Sequence, residues 1–289
     1  ASAHLLVTFK QQEIEHDNHP VGNFGSKRCT EMKTSRMLVK QSVRSLSAMA
    51  LSMIVSLGTS MGVSADEADA MRLLKAMSDY LVAQQAISFE YDATLEVITK
   101  DEQKLALANS GALILNRPDK ILATRSGGFA DVEMSFDGKT LTLLGKNLNI
   151  YAQQDVPGTV DNLVDELRKH NRPLPAADLL LSDAYEALML DVVNVKDLGS
   201  GVIGGVECDY LAFRAKEVDW QIWIAQGERP YPCRFVITSK FMKGEPQYSI
   251  QIRDWKAGDE VAATDFSFKN PTDAKKVDLK NLEGTDELP

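Results

Sequence analysis

The sequence predicts a mainly β fold with some helix: a curled, half-open antiparallel β-barrel of about eleven strands, with an N-terminal helix and inserted helices closing its open side. Three observations carry this. Apolar and polar residues alternate with period two through most of the chain, turn residues separate the alternating runs at regular intervals, and helical three-and-four spacing appears before the first run and again midway. A sheet of that many strands curls rather than lying flat.

The first helix is read from Ala70, Leu73, Leu74, Met77, Tyr80 and Leu81, one buried stripe ending near Gln85, with Asp66, Glu67 and Asp69 at its positive end. Phe89, Tyr91, Ala93, Leu95 and Val97 then alternate with Glu90, Asp92, Thr94 and Glu96, as a strand wet on one face does. Similar runs follow at Leu105 to Leu115, Ile121 to Arg125, Val132 to Phe136, Thr140 to Leu144 and Leu148 to Ala152. Turns separate them, and Asp137-Gly138 is the strongest hairpin signal. Between Pro157 and Leu190 the spacing is helical: Leu163, Val164 and Leu167, then Leu179 to Met189, a second helix apolar around much of its girth. Strands resume at Val206 to Arg214, Val218 to Ala225, Cys233 to Lys240, Gln247 to Trp255 and Asp265 to Phe268. The charged tail after Pro271 is expected to be loose.

The chain ahead of the first helix reads differently. From Met32, the basic residues Lys33, Arg36, Lys40 and Arg44 precede a 12-residue apolar run, Leu46 to Leu57, and small residues ending Val63-Ser64-Ala65. This is the pattern of a secretory signal peptide, residues 32–65, cleaved near Ala65. At ~1.5 Å per residue the run reaches about 18 Å, short of a ~30 Å bilayer core. Residues 1–31 resemble neither a signal nor a folded domain, and are expected to be a disordered upstream extension or untranslated. Residues 66–289 then form one domain. Removing the seven basic and four acidic residues of the first 65 takes the net charge from −9 to −12. An acidic chain without a basic stripe does not suit nucleic acid, and no lipid-attachment cysteine stands at the cleavage point, so no permanent membrane anchor is expected.

Chemistry is sparse in this chain. After the signal, His170 is the only histidine, and beside Arg168 and Lys169 it complements a helix C-terminus better than it serves a catalytic triad. One histidine and two separated cysteines do not make a zinc site, and no cofactor motif is present. The carboxylates Asp101-Glu102, Asp161, Asp165-Glu166 and Asp259-Glu260 read as solvated surface, and the protein is expected not to be an enzyme. Cys208 and Cys233 stand on strands separated by a third, which places their Cα atoms about 9 to 10 Å apart at ~4.8 Å per strand, beyond the ~7 Å a disulfide spans. A strand end or barrel corner can remove the middle strand, so a bond and a pair of buried thiols both stay open. Apolar binding fits best: strand parity puts Phe89, Tyr91, Leu95, Met134, Phe136, Trp220, Ile222 and Ile250 on the concave face, with Leu180, Tyr185 and Leu188 of the inserted helices lining or plugging it.

Several phrases carry a family resemblance. Gly204-Gly205-Val206-Glu207-Cys208-Asp209-Tyr210-Leu211-Ala212-Phe213-Arg214, Asp219-Trp220-Gln221-Ile222-Trp223-Ile224, Val236-Ile237-Thr238 and Pro246-Gln247-Tyr248 resemble a family of predicted bacterial periplasmic proteins (DUF2092), as do Asp137 to Leu141 and Pro173 to Leu180. That resemblance implies a fold similar to the LolA/LolB-like lipoprotein-localisation carriers, a half-open barrel closed by helices around an apolar cavity, and a periplasmic location. Both cysteines lie in the matching region, which favours a structural bond. It transfers no catalytic or ligand residue, and fold alone does not transfer activity. The expectation is a periplasmic carrier for a lipid, acylated protein or other apolar ligand. An envelope sensor or assembly partner that holds another envelope protein stands second, and a carboxylate-based hydrolase third.

Overall fold

A computed structural model describes residues 65–128, 131–170, 174 and 176–279. The expected upstream extension, residues 1–31, and nearly all of the expected signal segment, residues 32–65, lie outside the described residues.

Helix α1 (Ala65–Ala83) starts with Asp66 and Glu67 in its first turn and buries Ala70, Leu74, Met77 and Leu81, four residues on one stripe. Six strands then run as a meander: β1 (Ala86–Ile98), β2 (Lys104–Asn116), β3 (Lys120–Gly127), β4 (Asp131–Phe136), β5 (Thr140–Gly145) and β6 (Ile150–Asp155). The chain crosses back through helix α2 (Val160–Lys169), a 3-10 turn (Ala177–Leu180) and helix α3 (Ala184–Met189). A second meander follows: β7 (Val192–Ile203), β8 (Val206–Ala215), β9 (Val218–Ala225), β10 (Pro232–Ser239) and β11 (Gln247–Ala257), with a short β12 (Lys275–Lys276) in the tail. β1 pairs antiparallel with both β2 and β11, which fuses the two meanders into one 12-stranded sheet, ordered β12-β6-β5-β4-β3-β2-β1-β11-β10-β9-β8-β7. The sheet is curled and unclosed, as expected.

Local chemistry explains the joints. At the β4–β5 hairpin Asp137 Oδ1 accepts the N–H groups of Lys139 (3.0 Å) and Thr140 (2.8 Å), and Gly138 takes a φ of 90°. α2 opens with a capping box between Thr159 and Asn162 and ends at His170, whose N–H bonds the Glu166 carbonyl at 3.2 Å; histidine is the helix cap that the sequence indicates. α1 packs over β7 and β9 and against α3 and the 3-10 turn, so the helices share one core with the concave face of the sheet.

Four elements differ from the sequence reading. β7 was not expected: Gly199-Ser200-Gly201 reads as a turn, but as an edge strand β7 pairs on one side only, absorbs Gly199 in a bulge between Asp197 and Ser200 and pairs Gly201 with Cys208. The single apolar helix from Leu179 is two pieces, interrupted at Ser182, whose N–H goes to Asp161 Oδ1 at 2.8 Å instead of into a helix. Asp265 to Phe268 is not a strand, because Asp265 Oδ1 captures the N–H of Ser267 at 3.0 Å. The tail is not loose through residue 279: Lys275 and Val277 donate backbone hydrogen bonds to Asn149 and Tyr151 of the β6 edge, Ala274 is buried, and the Phe268 ring packs tilted against Tyr151 at 4.8 Å. Residues 280–289 lie outside the described residues.

Candidate ligand-binding face

Register defines the concave face as a set of parallel rows. The innermost row, Ile87, Leu115, Ile121, Phe136 and Leu141, runs across β1 to β5 and is at most 2% exposed throughout. Next come Phe89, Leu113, Ala123, Met134 and Leu143, of which Ala123 and Leu143 are half-buried. The third row holds Tyr91, Gly111, Arg125 and Val132, all half-buried. Beyond it the apolar pairs Leu95–Leu107 and Val97–Leu105 are also half-buried. Burial therefore falls along this half of the inner wall, with Ala93 still buried between the third row and the Leu95–Leu107 pair, from a sealed end to an apolar end that water reaches. The other half is sealed: Tyr248, Ile237, Trp220, Phe213 and Val195, in register with Leu95 across β11 to β7, are each no more than 9% exposed.

Aromatic packing fixes the sealed region. Trp220 stacks on Phe213 at 3.8 Å and meets Phe235 edge-on at 5.7 Å. A bulge in β11, where Asp254 takes a φ of 52°, places Trp255 against Phe89 at 5.7 Å and Tyr231 at 5.1 Å.

At the open end one tyrosine spans three strands. Tyr91 of β1 lies across Gly111 of β2, and its hydroxyl donates to the Thr124 carbonyl of β3 at 2.9 Å. Only glycine leaves that path clear, since a Cβ at position 111 would stand 2.5 Å from the Tyr91 hydroxyl and 2.0 Å from Thr124 O. Burial raises the pKa of Tyr91, and burial with the neighbouring Tyr91 phenol raises that of Tyr248; the nearby Arg125 opposes both shifts. Arg125 thus lies within electrostatic reach of both phenols, which stay protonated at neutral pH.

All eleven residues expected to line the cavity belong to one apolar cluster. They divide into two groups. Phe136, Leu188, Trp220 and Ile222 are fully buried filler, and Phe89, Met134, Leu180 and Ile250 are nearly so. Tyr91, Leu95 and Tyr185 are half-buried, the last on α3 with the Lys75 ammonium 5.8 Å from its ring. Parity alone thus overstates the lining. The sequence reading omitted Leu105, Leu107, Ala123, Arg125 and Val132, although the alternation through β2 and β3 contains the signal for each.

The cysteines are two free, buried thiols. Cys208 pairs with Ala225 in register, while Cys233 stands in a bulge of β10 between Pro232 and Arg234. Cys208 Sγ donates to the Val206 carbonyl at 3.3 Å, and burial pushes both thiols up from the usual thiol range. Most of the carboxylates considered as catalytic are tied to structure: Glu102 pairs with Lys243, Asp165 with Arg168, Glu166 with Lys169, and Glu260 with Arg229. Among the described residues no cluster of three or more His, Cys, Asp or Glu could hold a metal ion, and no helix is long and apolar enough to cross a membrane.

Residues 70–280 match the family of predicted periplasmic proteins DUF2092. The chain belongs to that family. Among solved structures it is similar to the lipoprotein LppX of Mycobacterium tuberculosis, at 13% identity with 69% of this chain and 100% of that one covered and a TM-score of 0.36. LprF of Mycobacterium bovis is similar at 11% identity over 71% and 100% of the two chains, with a TM-score of 0.44. A LolA superfamily protein of Nitrosomonas europaea is similar at 10% identity over 69% and 97%, with a TM-score of 0.32. No curated protein matches the chain.

Proposed function

We propose that the protein binds a lipid-like apolar ligand against the half-buried end of its concave face, and that it acts as a periplasmic carrier rather than as an enzyme. One observation supports this reading above others. Leu95, Val97, Leu105 and Leu107 are held on the inner side of the sheet, where a folding core would bury them, yet they stay partly open to water. Burying apolar surface is worth roughly 25 cal/mol per Å², so an acyl chain laid along this strip is driven there by the same term that built the core. The test is mass spectrometry of organic extracts from protein purified out of its native compartment, followed by titration of delipidated protein with a fluorescent fatty-acyl probe. Co-purified lipid and saturable binding are expected. Absence of both would overturn the reading.

The second reading, a partner that holds a polypeptide, draws on the edge strand β7. Its outer ladder is unpaired within the described residues, and Val193, Leu198 and Val202 on it are exposed. Recovery of one protein partner without extractable lipid would favour it.

A further inference from the structure

We propose that the end of the sheet at which the inner wall opens docks on a lipid bilayer, with Leu148, Leu190, Val193 and Phe241 entering the boundary between head groups and acyl chains. The inference goes beyond the carrier reading: it assigns a surface and not a ligand, and its residues lie outside the inner strip.

Topology brings these side chains to one end. Register aligns Leu95 of β1 with Tyr248, Ile237, Trp220 and Phe213, so the β1–β2, β8–β9 and β10–β11 connections and the entry to β7 all leave the sheet where Val97 and Leu105 lie. The β5–β6 connection leaves it in the same direction. Seven large apolar side chains are exposed among the described residues, and four of them sit on these connections or at the start of β7. Val193, Leu148 and Phe241 are 73%, 60% and 50% exposed. The other three are Val82 near the end of α1, at the opposite end, and Leu198 and Val202 on the β7 edge. A lone exposed apolar side chain needs no explanation; four, gathered to one end from three separate connections, do.

The turn that carries Phe241 is braced. The N–H groups of Met242 and Glu245 donate to the carbonyls of Ser239 at 3.3 Å and Met242 at 3.0 Å, and Lys243 pairs with Glu102 of the β1–β2 connection. Gly244, with a φ of 80°, seats against Ile98, where a Cβ would stand 2.9 Å from Ile98 Cδ1. The two turns hold each other, and Phe241 stays out instead of folding over the half-buried Ile98. Charge then favours a lipid surface. The described connections at this end, residues 99–103, 146–149, 190–191, 216–217 and 240–246, carry five lysines and five carboxylates and are neutral, whereas the chain as a whole is −9. An acidic protein meets a bilayer with least repulsion at this end, and lysine stems reach the head groups while apolar neighbours sink in. Attraction is left to apolar burial, which sets the strength of interfacial binding. The anchors stand singly on separate loops, as shallow insertion requires, whereas a protein partner is met by one contiguous patch. In the carrier reading, a bilayer here also adjoins Leu95, Val97, Leu105 and Leu107, so a lipid passes to the strip without crossing water.

The test is flotation of the protein, purified out of its native compartment, with phosphatidylcholine vesicles on a density gradient, beside titration of a fluorescent fatty-acyl probe without vesicles. The unaltered protein is expected to float at low and high salt alike. Phe241→Asp removes a half-exposed ring and puts a charge at the contact, so partition should weaken roughly tenfold, about 1.4 kcal/mol. Leu148→Asp, on a different connection, should act the same way. Val82→Asp at the opposite end and Leu198→Asp on the β7 edge should float like the unaltered protein. Circular dichroism checks the fold of each variant, and if Phe241→Asp does not fold, Leu148→Asp decides. Probe binding in solution should be the same in all four. Failure to float, or equal flotation of all variants, overturns the docking and leaves the carrier reading standing where the probe still binds. Flotation with phosphatidylglycerol vesicles alone, abolished by salt, overturns it as well, because lysines and not apolar tips then make the contact. Loss of self-association or of a protein partner in Phe241→Asp, without flotation, makes this end a protein interface instead. If the probe fails to bind while flotation still depends on Phe241, the carrier reading falls and the docking surface stands.

Discussion

Replacing Gly111 with alanine tests the geometry of the open end directly. The added methyl carbon would stand 2.0 Å from the Thr124 carbonyl oxygen and 2.5 to 2.6 Å from the Tyr91 phenol, well inside van der Waals contact. Neither obstacle yields freely, because one is backbone of the neighbouring strand and the other is a ring held by a 2.9 Å hydrogen bond. Overpacking costs about 1–3 kcal/mol and loss of the phenol's hydrogen bond about 0.5–1.5 kcal/mol, so the expected destabilisation is roughly 2–4 kcal/mol. Equilibrium urea unfolding reads it: with a slope near ~2 kcal/mol/M the midpoint should fall by about 1–2 M. Gly128→Ala is the control, since a Cβ there meets nothing within 4 Å, and its midpoint should stay put. A Gly111→Ala variant as stable as the control would show that Tyr91 does not cross β2 as described, and the floor of the proposed site would have to be redrawn.

Asp178, 2% exposed and bonded at 2.7 Å to Arg168, has its carboxyl raised by burial to about 6 from an ordinary value near 3.8, against the pull of the arginine. The folded state then holds this proton to higher pH than the unfolded state does, so the contribution is lost as pH rises from about 4 to 6, by about 3 kcal/mol at ~1.36 kcal/mol per pH unit. Asp178→Asn should flatten that part of the stability profile in urea melts at fixed pH; an unchanged slope would place the titration elsewhere. Trp220→Ala should cost about 3–5 kcal/mol as a fully buried side chain removed from a stack, whereas Trp220→Phe should cost far less, because the indole N–H is buried without a partner among the described residues. Chemical denaturation of the two variants separates these outcomes, and equal losses would contradict the packing described. Peptide-resolved alkylation should leave Cys208 and Cys233 unmodified in the folded protein and label both after unfolding without reductant; failure to label them in the unfolded chain would reveal a disulfide.

The sequence made much of the fold legible because alternation survives wherever one face is wet. β1 and β2 are the clearest case, with Glu90, Asp92, Ala106 and Ser110 exposed between inward neighbours. It failed where an element's pairing is one-sided or local. β7 has an exposed Val193, Leu198 and Val202, so hydrophobicity does not report its buried side, and its glycines imitate a turn. Phe266 and Phe268 alternate like a strand, but a side-chain bond within the segment outcompetes ladder formation. For the site, parity named the right face and not the right depth, since depth depends on where the helices settle. Arg125 escaped notice because a charge at the end of a short run is read as solvent-facing, although its parity with Ile121 and Ala123 puts it on the inner face.

The seam between the two meanders also governs how the chain can assemble. Leu95 must find Tyr248, and Tyr91 must find Ile252, partners some 150 to 160 residues away, while nearly every other ladder joins neighbouring strands. Local hairpins can therefore form early, but the union of the halves waits for β11 and carries the entropy of closing that long loop. Until then β1 presents a 13-residue unprotected edge. Truncation before Gln247 removes β11 and strands that edge permanently, so such shortened products are expected to aggregate rather than persist as half-domains.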